Sequence, residues 1–455
     1  MGDEKDAAIR SIFKHVLHNI KPTPKEIDAI TYAANMVMAR LEKVLSKNVE
    51  IILAGSVARG TQLKSESDID IFLLFPKSGD ERKMEKKGID AAKKIVNVKQ
   101  GESYTLKYSE HPYLQLMLKD PPVKVDIVPA FKIADSFELG SAVDRTPLHN
   151  DFIRSHLTEE QKDEVRILKA FMHNHYVYGA DSSVNGFPGY LCELLIHYYG
   201  SAANVLKNFA NISLPMCLDP KNKAEIKDEA VFKKFNSNFI VIDPTDQNRN
   251  VAAAVSSDTL GRFSMAASIF LMKQSLDAFY GPRFDMTNTS AKLVKLCNTL
   301  NLDVYAIVFN VSGITEDIIW QQIRRFGKNL LQQVLKSSFL PVMSIENVGE
   351  GSAVYAIFVN KKAYVLPIRG PSPFIKPASL QFAGSHSIVY ISNNYLFAIE
   401  KAKYVTFKEF LNKLLNKDYP LPSYLKKSKM QIFSNRIPEE YAKLIYERYI
   451  KQTNF

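Results

Sequence analysis

Cysteine is scarce in this sequence, and long apolar runs are missing. The 455 residues include 3 cysteines, Cys192, Cys217 and Cys297, and no two of them form a CxxC pair. A disulfide framework or a zinc site is therefore not expected, and a reducing compartment suits the composition. The N-terminal residues lack the apolar core of a signal peptide, and no run approaches the roughly 18 apolar residues of a membrane span. We therefore expect a soluble, cytoplasmic protein without a membrane partner.

Internal repeats and low-complexity tracts are also absent. The composition, 46% hydrophobic and 24% charged, is that of an ordinary globular protein. Because 455 residues are too many for one ordinary core, two to four domains are expected.

The positive charge is concentrated late in the chain. The formal net charge is +11, and residues 401–455 carry a net of +7 from 12 basic and 5 acidic residues. Such a region suits a polyanion such as RNA. A solvated, lysine-rich helical surface explains the same charge equally well.

Hydrophobic spacing predicts a mixed α+β multidomain fold. Helices are expected at 5–19, at 24–45 behind an N-cap at Thr23, and at 80–96. The strands expected in the first stretch are 49–53, 69–75, 104–108, 113–118 and 123–131. The middle is expected to be helical, at 164–174, 190–209 and 256–280. The last third returns to α/β, with strands at 304–310 and 353–359 around a helix at 316–336, an order that permits a ferredoxin-like or RNA-recognition-type sheet.

Three aspartates carry the chemical signal. Asp68 and Asp70 are two residues apart at the start of an apolar strand, so their carboxylates point the same way. Like charges held together are tolerable mainly around a cation. Asp126 lies in another alternating strand. Three carboxylates on neighbouring strands can hold two Mg²⁺ ions, one activating an attacking hydroxyl and one steadying a triphosphate.

A small-residue turn precedes these acids and suits a phosphate. Gly55 lets backbone N–H groups approach a phosphate closely, and Ser56 adds a hydroxyl donor. Arg59, one helical turn later, could reach a phosphate oxygen. Each feature alone has an ordinary structural explanation, such as a surface acid pair or an N-cap. The ordered set of strand, Gly-Ser turn, acid pair, apolar strand and third aspartate is much more specific.

This set resembles the nucleotidyltransferase superfamily that contains DNA polymerase β, poly(A) polymerases and CCA-adding enzymes. Further segments between about residues 50 and 255 resemble the archaeal-type (class I) CCA-adding tRNA nucleotidyltransferases. These segments are YSEHPY at 108–113, SAVDRTPLH at 141–149, VRILKAF at 165–171, VYGA at 177–180, GFPGYLCELL at 186–195, IDP at 242–244 and RNVA at 249–252. Beyond residue 255 the likeness rests on length and basic character.

The resemblance implies a catalytic head at 1–145, a helical, nucleotide-selecting neck at 146–255, and a tRNA-binding body and tail at 256–455. It implies template-independent addition of C, C and A to the 3′ end of tRNA, with CTP, ATP and the acceptor end and top half of tRNA as partners. A homodimer is left as one option. On this basis tRNA affinity should fall steeply with salt, and truncation after Tyr404 should weaken it.

The resemblance also assigns roles to residues. It makes Asp68, Asp70 and Asp126 the catalytic metal ligands for two Mg²⁺ ions. It makes Arg249 the residue that hydrogen-bonds the base edge. The residues assigned to the nucleotide's phosphates and ribose are Gly55, Ser56, Arg59, His149, Lys169 and Tyr178. Taken by themselves, Lys169 could equally be a solvated surface lysine, Tyr178 a packing residue and His149 a structural histidine.

Three other functions stay open at this point. A poly(A) polymerase-like RNA nucleotidyltransferase would share the three acids, and only the more specific segments argue against it. A non-catalytic tRNA-binding protein could retain the fold, although all three carboxylates are present. A small-molecule nucleotidyltransferase would usually be shorter and lack a basic tail.

Overall fold

The computed structural model describes residues 2–64, 68–77, 80–108, 112–132, 145–281, 284–349, 351–361, 367–399, 404–416 and 418–453. The chain forms two compact units, Met1–Pro282 and Arg283–Asn454. No helix within these described ranges combines the length and apolarity needed to cross a bilayer.

The first part of the first unit is a sheet flanked by helices, as its alternating apolar runs predict. Its elements are α1 Gly2–Ile20, α2 Pro24–Glu42, β1 Glu50–Ala54, α3 Gly55–Arg59, β2 Ile69–Phe75, α4 Glu81–Lys94, β3 Ser103–Tyr108, β4 Pro112–Met117 and β5 Lys124–Phe131. The five strands lie in the order β1-β2-β5-β4-β3, and only β2 and β5 pair in parallel. The predicted N-cap of α2 is present, since Thr23 and Glu26 form a reciprocal capping box.

The second part of this unit is mainly helical and carries a second small sheet. Its elements are α5 Thr146–His156, α6 Glu159–Asn174, α7 Gly189–Tyr199, α8 Ala202–Ala210, β6 Met216–Asp219, β7 Ala224–Glu225, α9 Glu229–Phe235, β8 Phe239–Asp243, β9 Asp246–Asn250 and α10 Ser257–Lys273. The sheet has the order β7-β6-β8-β9. Phenylalanines of α6, α8 and α10, together with Phe13 of α1, pack into one core. Helix α10 packs within this unit, so the first unit continues past residue 255, where the body is predicted to begin.

The second unit is built around a sheet with a helix layer on each face. Its elements are α11 Thr289–Leu300, β10 Leu302–Asn310, α12 Glu316–Leu335, β11 Pro341–Gly349, β12 Ser352–Asn360, β13 Ile368–Arg369, α13 Lys376–Ser385, β14 Val389–Ser392, β15 Tyr395–Ala398, α14 Phe407–Leu414, α15 Ser423–Lys426, β16 Met430–Ser434 and α16 Glu439–Thr453. The order β11-β12-β10-β16, all antiparallel, is the ferredoxin-like arrangement that the sequence permits.

Alternate side chains of this second-unit sheet enter two different cores. One face packs against α12 and α14, and the other packs against α11 and α16. An RNA-recognition-type sheet stacks bases on an open face. Because helices cover both faces here, that use of the sheet is not available to this protein.

Candidate active site

Two of the three predicted catalytic aspartates lie side by side on adjacent strands. Asp70 on β2 pairs in register with Asp126 on β5, and Asp68 comes immediately before β2 and is exposed. Side chains of residues paired in register project from the same face of a sheet. The parallel pairing of β2 and β5 therefore brings together acids that are far apart in sequence.

Burial and mutual repulsion make the charged forms of these acids unfavourable. Burial raises the pKa of Asp70 to about 6; the charges of Asp126 and Asp68 add to this, while that of Arg59 opposes it. Burial likewise raises the pKa of Asp126, against a hydrogen bond of 2.9 Å that Gln115 Nε2 donates to Asp126 Oδ1. A cation bound between the carboxylates would relieve this electrostatic cost.

The acids fit a divalent cation by donor type, although they are not arranged around one. Carboxylate oxygens are the ligands that Mg²⁺ prefers, and three acids offer enough of them. Across the described part of the chain, no three His, Cys, Asp or Glu side chains are grouped as a preformed metal site.

Gly55 is needed where β1 turns into α3, directly beside Asp70. Its φ of +70° lies in the left-handed region, which favours glycine. A Cβ added here would lie 1.7 Å from Asp70 Oδ2, so any side chain would displace the carboxylate. Ser56 follows on α3, where its backbone carbonyl accepts the N–H of Thr61 at 2.9 Å. The lack of a side chain at Gly55 thus leaves room for the acid.

Two buried cations share one buried carboxylate next to these acids. Arg59 on α3 is 8% exposed and Lys169 on α6 is 2% exposed, while Glu193 on α7 is fully buried. Arg59 Nε lies 2.9 Å from Glu193, and Lys169 Nζ donates to the Thr61 carbonyl at 3.1 Å. Burial lowers the pKa of Lys169, and the charge of Glu193 opposes that shift. This cluster carries more positive charge than its one carboxylate balances, which is an arrangement that suits an anion.

The solvated-surface explanation of Lys169 is wrong. Lys169 is buried with the apolar residues of α6, and its Nζ donates to the carbonyl of Thr61, which follows α3. Sequence periodicity locates the face of a helix and says nothing about a second layer packed on the other side. Tyr178 is partly buried, with its ring 4.1 Å from that of His173. A Cβ on Gly189 would lie 3.0 Å from the Tyr178 hydroxyl and 3.6 Å from Lys169 Nζ, so these groups converge.

A second buried acid, Asp243 at the end of β8, holds two of the predicted nucleotide contacts. Its Oδ2 accepts from Arg249 Nη1 at 2.7 Å and lies 2.8 Å from His149 Nε2. Burial would raise the pKa of Asp243, but the bonds from His149, Thr245 and Arg249 bring it well below its usual range. Burial lowers the pKa of His149, against the effect of Asp243. In the neutral ring, Nε2 then carries the proton, and Nδ1 is an acceptor.

Comparison with known proteins matches both halves of this site. The family described as "Nucleotidyltransferase domain" matches residues 38–149, and the family "tRNA nucleotidyltransferase, second domain" matches residues 163–280. The CCA-adding enzyme of Methanocaldococcus jannaschii is 33% identical over 434 residues, which cover 92% of this chain and 94% of that protein. The chain belongs to the family of CCA-adding enzymes.

Other members of the CCA-adding family match over shorter stretches. The CCA-adding enzyme of Saccharolobus shibatae is 35% identical over 343 residues, 75% of this chain and 76% of that protein. Among solved structures, a cytoplasmic RNA terminal U-transferase is similar with a TM-score of 0.46 and 16% identity, covering 61% of this chain and 99% of that one. The predicted family and the mixed α+β multidomain fold class are thus confirmed.

Two segments that carry the resemblance to CCA-adding enzymes lie partly outside the described residues. These are the YSEHPY segment, at 109–111, and the SAVDRTPLH segment, at 141–144. Arg145 is the first described residue of the 141–149 segment, and its Nε donates to Asp246 Oδ2 at 3.1 Å.

Sequence reasoning missed three residues that organise the site of this family member: Glu193, Asp243 and Gln115. Glu193 gives a detectable signal, because it is a lone acid inside the apolar helix α7 and such acids are rarely buried without a partner. Asp243 and Gln115 give no such signal in the sequence. Each meets its partner only when two strands pair, Asp243 with Arg249 and Gln115 with Asp126.

Proposed function

We propose that this chain adds C, C and A to the 3′ end of tRNA, from CTP and ATP and without a nucleic-acid template. The observation that carries the proposal is the in-register pairing of Asp70 with Asp126 beside a cluster of buried cations. In the reaction, the 3′ hydroxyl oxygen of the RNA attacks the α-phosphorus of the nucleotide. The bond from that phosphorus to the bridging oxygen breaks, and pyrophosphate leaves.

Asp68, Asp70 and Asp126 would hold two Mg²⁺ ions, and enzymes of this superfamily use divalent metals. When bound, such ions lower the pKa of the attacking hydroxyl and neutralise charge on the leaving pyrophosphate. Gln115 keeps one oxygen of Asp126 engaged, which leaves the other oxygen to face the site. Gly55 keeps the approach to Asp70 open.

Arg59 and Lys169 supply the positive charge that the triphosphate requires. Both are buried, and Glu193 faces them together, so the triphosphate would be the second anion of the cluster. Ser56 adds a hydroxyl at the Gly-Ser turn. Tyr178 and the neutral His149 suit ribose hydroxyls, since His149 Nδ1 accepts a hydrogen bond when Nε2 is used on Asp243.

Arg249 is the residue proposed to read the base. Both C and A present an acceptor ring nitrogen beside an exocyclic amino group, and a guanidinium can donate to that nitrogen. The basic residues after 401 would bind the phosphates of the acceptor end and top half of tRNA. The division into head (1–145), neck (146–255), and body and tail (256–455) stays a proposal.

The deciding experiment uses a tRNA transcript that lacks its 3′ CCA, with Mg²⁺ and labelled nucleotides. We expect two C additions from CTP alone and a terminal A only when ATP is also present. Asp68→Ala should abolish incorporation. Asp90→Ala, an exposed acid on α4 of the same sheet domain, is the matched control and should remain active.

The other outcomes separate the rival functions. A long A tail would identify a poly(A) polymerase-like activity and overturn CCA addition. Binding of the transcript without incorporation of any nucleotide would identify a tRNA-binding protein that has lost its chemistry.

A further inference from the structure

Asp243 is a buried carboxylate that no step of the proposed reaction uses directly. Its side chain is fully buried at the end of β8, and both of its oxygens are bonded to other protein groups. Its Oδ1 accepts from the Thr245 backbone N–H at 2.9 Å and from the Thr245 hydroxyl at 2.8 Å. These bonds fix the carboxylate within the turn that joins β8 to β9.

The other oxygen of Asp243 connects two side chains that come from different elements. Oδ2 meets Arg249 from β9 and His149 from α5. The His149 ring also stacks on the Tyr190 ring, with centroids 4.0 Å apart. This contact further restricts the position of the imidazole. One buried oxygen thus sets the relative position of Arg249 and His149.

Arg249 reaches partly out of the protein interior, unlike the carboxylate to which it is bonded. Its side chain is 33% exposed, whereas that of Asp243 is fully buried. A guanidinium has five N–H donors in a rigid plane. With Nη1 committed to Asp243, the plane is oriented and the remaining edge can face a ligand.

We propose that Asp243 is a positioning residue for nucleotide selection, which orients the Arg249 guanidinium so that it accepts C and A and rejects U. The inference rests on the proposed function, because it takes Arg249 as the group that meets the base edge. Uracil carries an N–H where cytosine has a ring-nitrogen acceptor. A fixed donor therefore repels uracil, whereas a mobile one can turn away from it.

The test compares CTP with UTP as the first nucleotide added to a tRNA transcript lacking CCA. The variant Asp243→Asn keeps the shape of the side chain and removes its charge. We expect the ratio of kcat/KM for CTP over UTP to fall by about ten-fold or more, mainly through a higher KM for CTP. The dissociation constant for tRNA should stay within about two-fold of the wild type, since the phosphate contacts are untouched.

Asp219→Asn is the matched control. Asp219 also ends a strand, and it accepts backbone N–H groups of Lys221 and Asn222, but no arginine or histidine is bonded to it in the described structure. This variant should discriminate between CTP and UTP as the wild type does. The double variant Asp243→Asn with Arg249→Ala tests whether Asp243 acts through Arg249. If it does, the double variant should be no less selective than Arg249→Ala alone.

Unchanged discrimination by a folded Asp243→Asn protein would overturn the inference. Additive losses in the double variant would also overturn it, because Asp243 would then act independently of Arg249. If Asp243→Asn does not fold, Thr245→Val removes one bond to Asp243 and should lower discrimination in the same direction; no change there would count against the proposal. Failure of the proposed function itself is recognised separately, as absence of CMP addition by the wild type.

Discussion

At the scale of single residues, Asp70 reduces the stability of the protein when no cation is bound. Its pKa is about 6 in the folded protein, against an ordinary value of 3.8. The folded state therefore holds a proton at this site more tightly than the unfolded chain does. Stability is highest below 3.8, falls as the pH rises towards about 6, and then levels off.

Asp70→Asn should consequently increase the unfolding free energy of the metal-free protein at pH 8 by on the order of 1 kcal/mol. Its Tm should rise accordingly. The difference should shrink towards pH 4, where the wild-type carboxyl is protonated in the folded state. Calorimetry in EDTA measures both values, with Asp90→Asn as the exposed-acid control. Added Mg²⁺ should stabilise the wild type more than the variant. A variant that melts below the wild type at pH 8 would show that burial of Asp70 carries no such cost.

At the scale of elements, Glu193 of α7 forms a buried ion pair with Arg59 of α3. Glu193→Gln would leave Arg59 and Lys169 buried without their carboxylate. We expect a loss of about 3–5 kcal/mol in unfolding free energy, because a broken buried pair leaves uncompensated charge. Urea denaturation monitored by circular dichroism measures this loss.

The control for Glu193→Gln is Glu229→Gln on α9. Glu229 pairs with Lys233 at 3.9 Å, and the two side chains are 89% and 80% exposed. Such a pair is worth at most about 0.5 kcal/mol. Added pyrophosphate should recover more stability in the Glu193→Gln variant than in the wild type, because it supplies the missing negative charge. Equal stability losses in the two variants would contradict the role given to Glu193.

The sequence predicts elements well where periodicity is strong and poorly where a single residue interrupts it. All five strands of the first sheet lie close to their predicted positions. The helix predicted at 190–209 is two helices, because Gly200 adopts a φ of +87° and Ser201 caps a new helix. The small β6–β9 sheet was missed, since its strands are short and the flanking helices dominate the pattern.

The candidate site divides in the same way. Strand alternation predicts that Asp68 and Asp70 share a face, whereas Asp126 joins them only through the parallel pairing of β2 with β5. The burial of Arg59 and Lys169 was not predictable, because it depends on tertiary contacts: Arg59 bonds to Asn150 and Glu193, and Lys169 bonds to Thr61. A local pattern can therefore indicate candidate catalytic acids, while the cations that lie near them become visible only in the tertiary structure.

At the scale of the whole molecule, truncation after Tyr404 is a poor test of tRNA binding. The segment contributes β16 to the sheet of the second unit, and Phe410 and Ile445 to its two cores. Its removal would unfold that unit, so weakened binding would say nothing about charge. Substitution of exposed lysines is the sharper experiment.

We expect a protein with Lys408, Lys413, Lys426 and Lys427 changed to Gln to bind tRNA more weakly and with less salt dependence. The slope of log K against log salt should fall by up to about 0.9 for each lysine that contacts a phosphate. The control changes four exposed lysines of α4, Lys86, Lys87, Lys93 and Lys94, and removes the same net charge. If both quadruple variants lose the same slope, the effect belongs to overall charge and not to the C-terminal surface.

The in-register pairing of Asp70 and Asp126 also limits how this gene can change in length. An insertion of one residue within β2 or β5 would turn an aspartate to the opposite face of the sheet, whatever residue was inserted. The turn between β4 and β5, at 118–123, is free of that constraint and can lengthen or shorten. Across diverging copies of the gene, we therefore expect insertions and deletions to collect in such turns, while the two strands keep a fixed residue count.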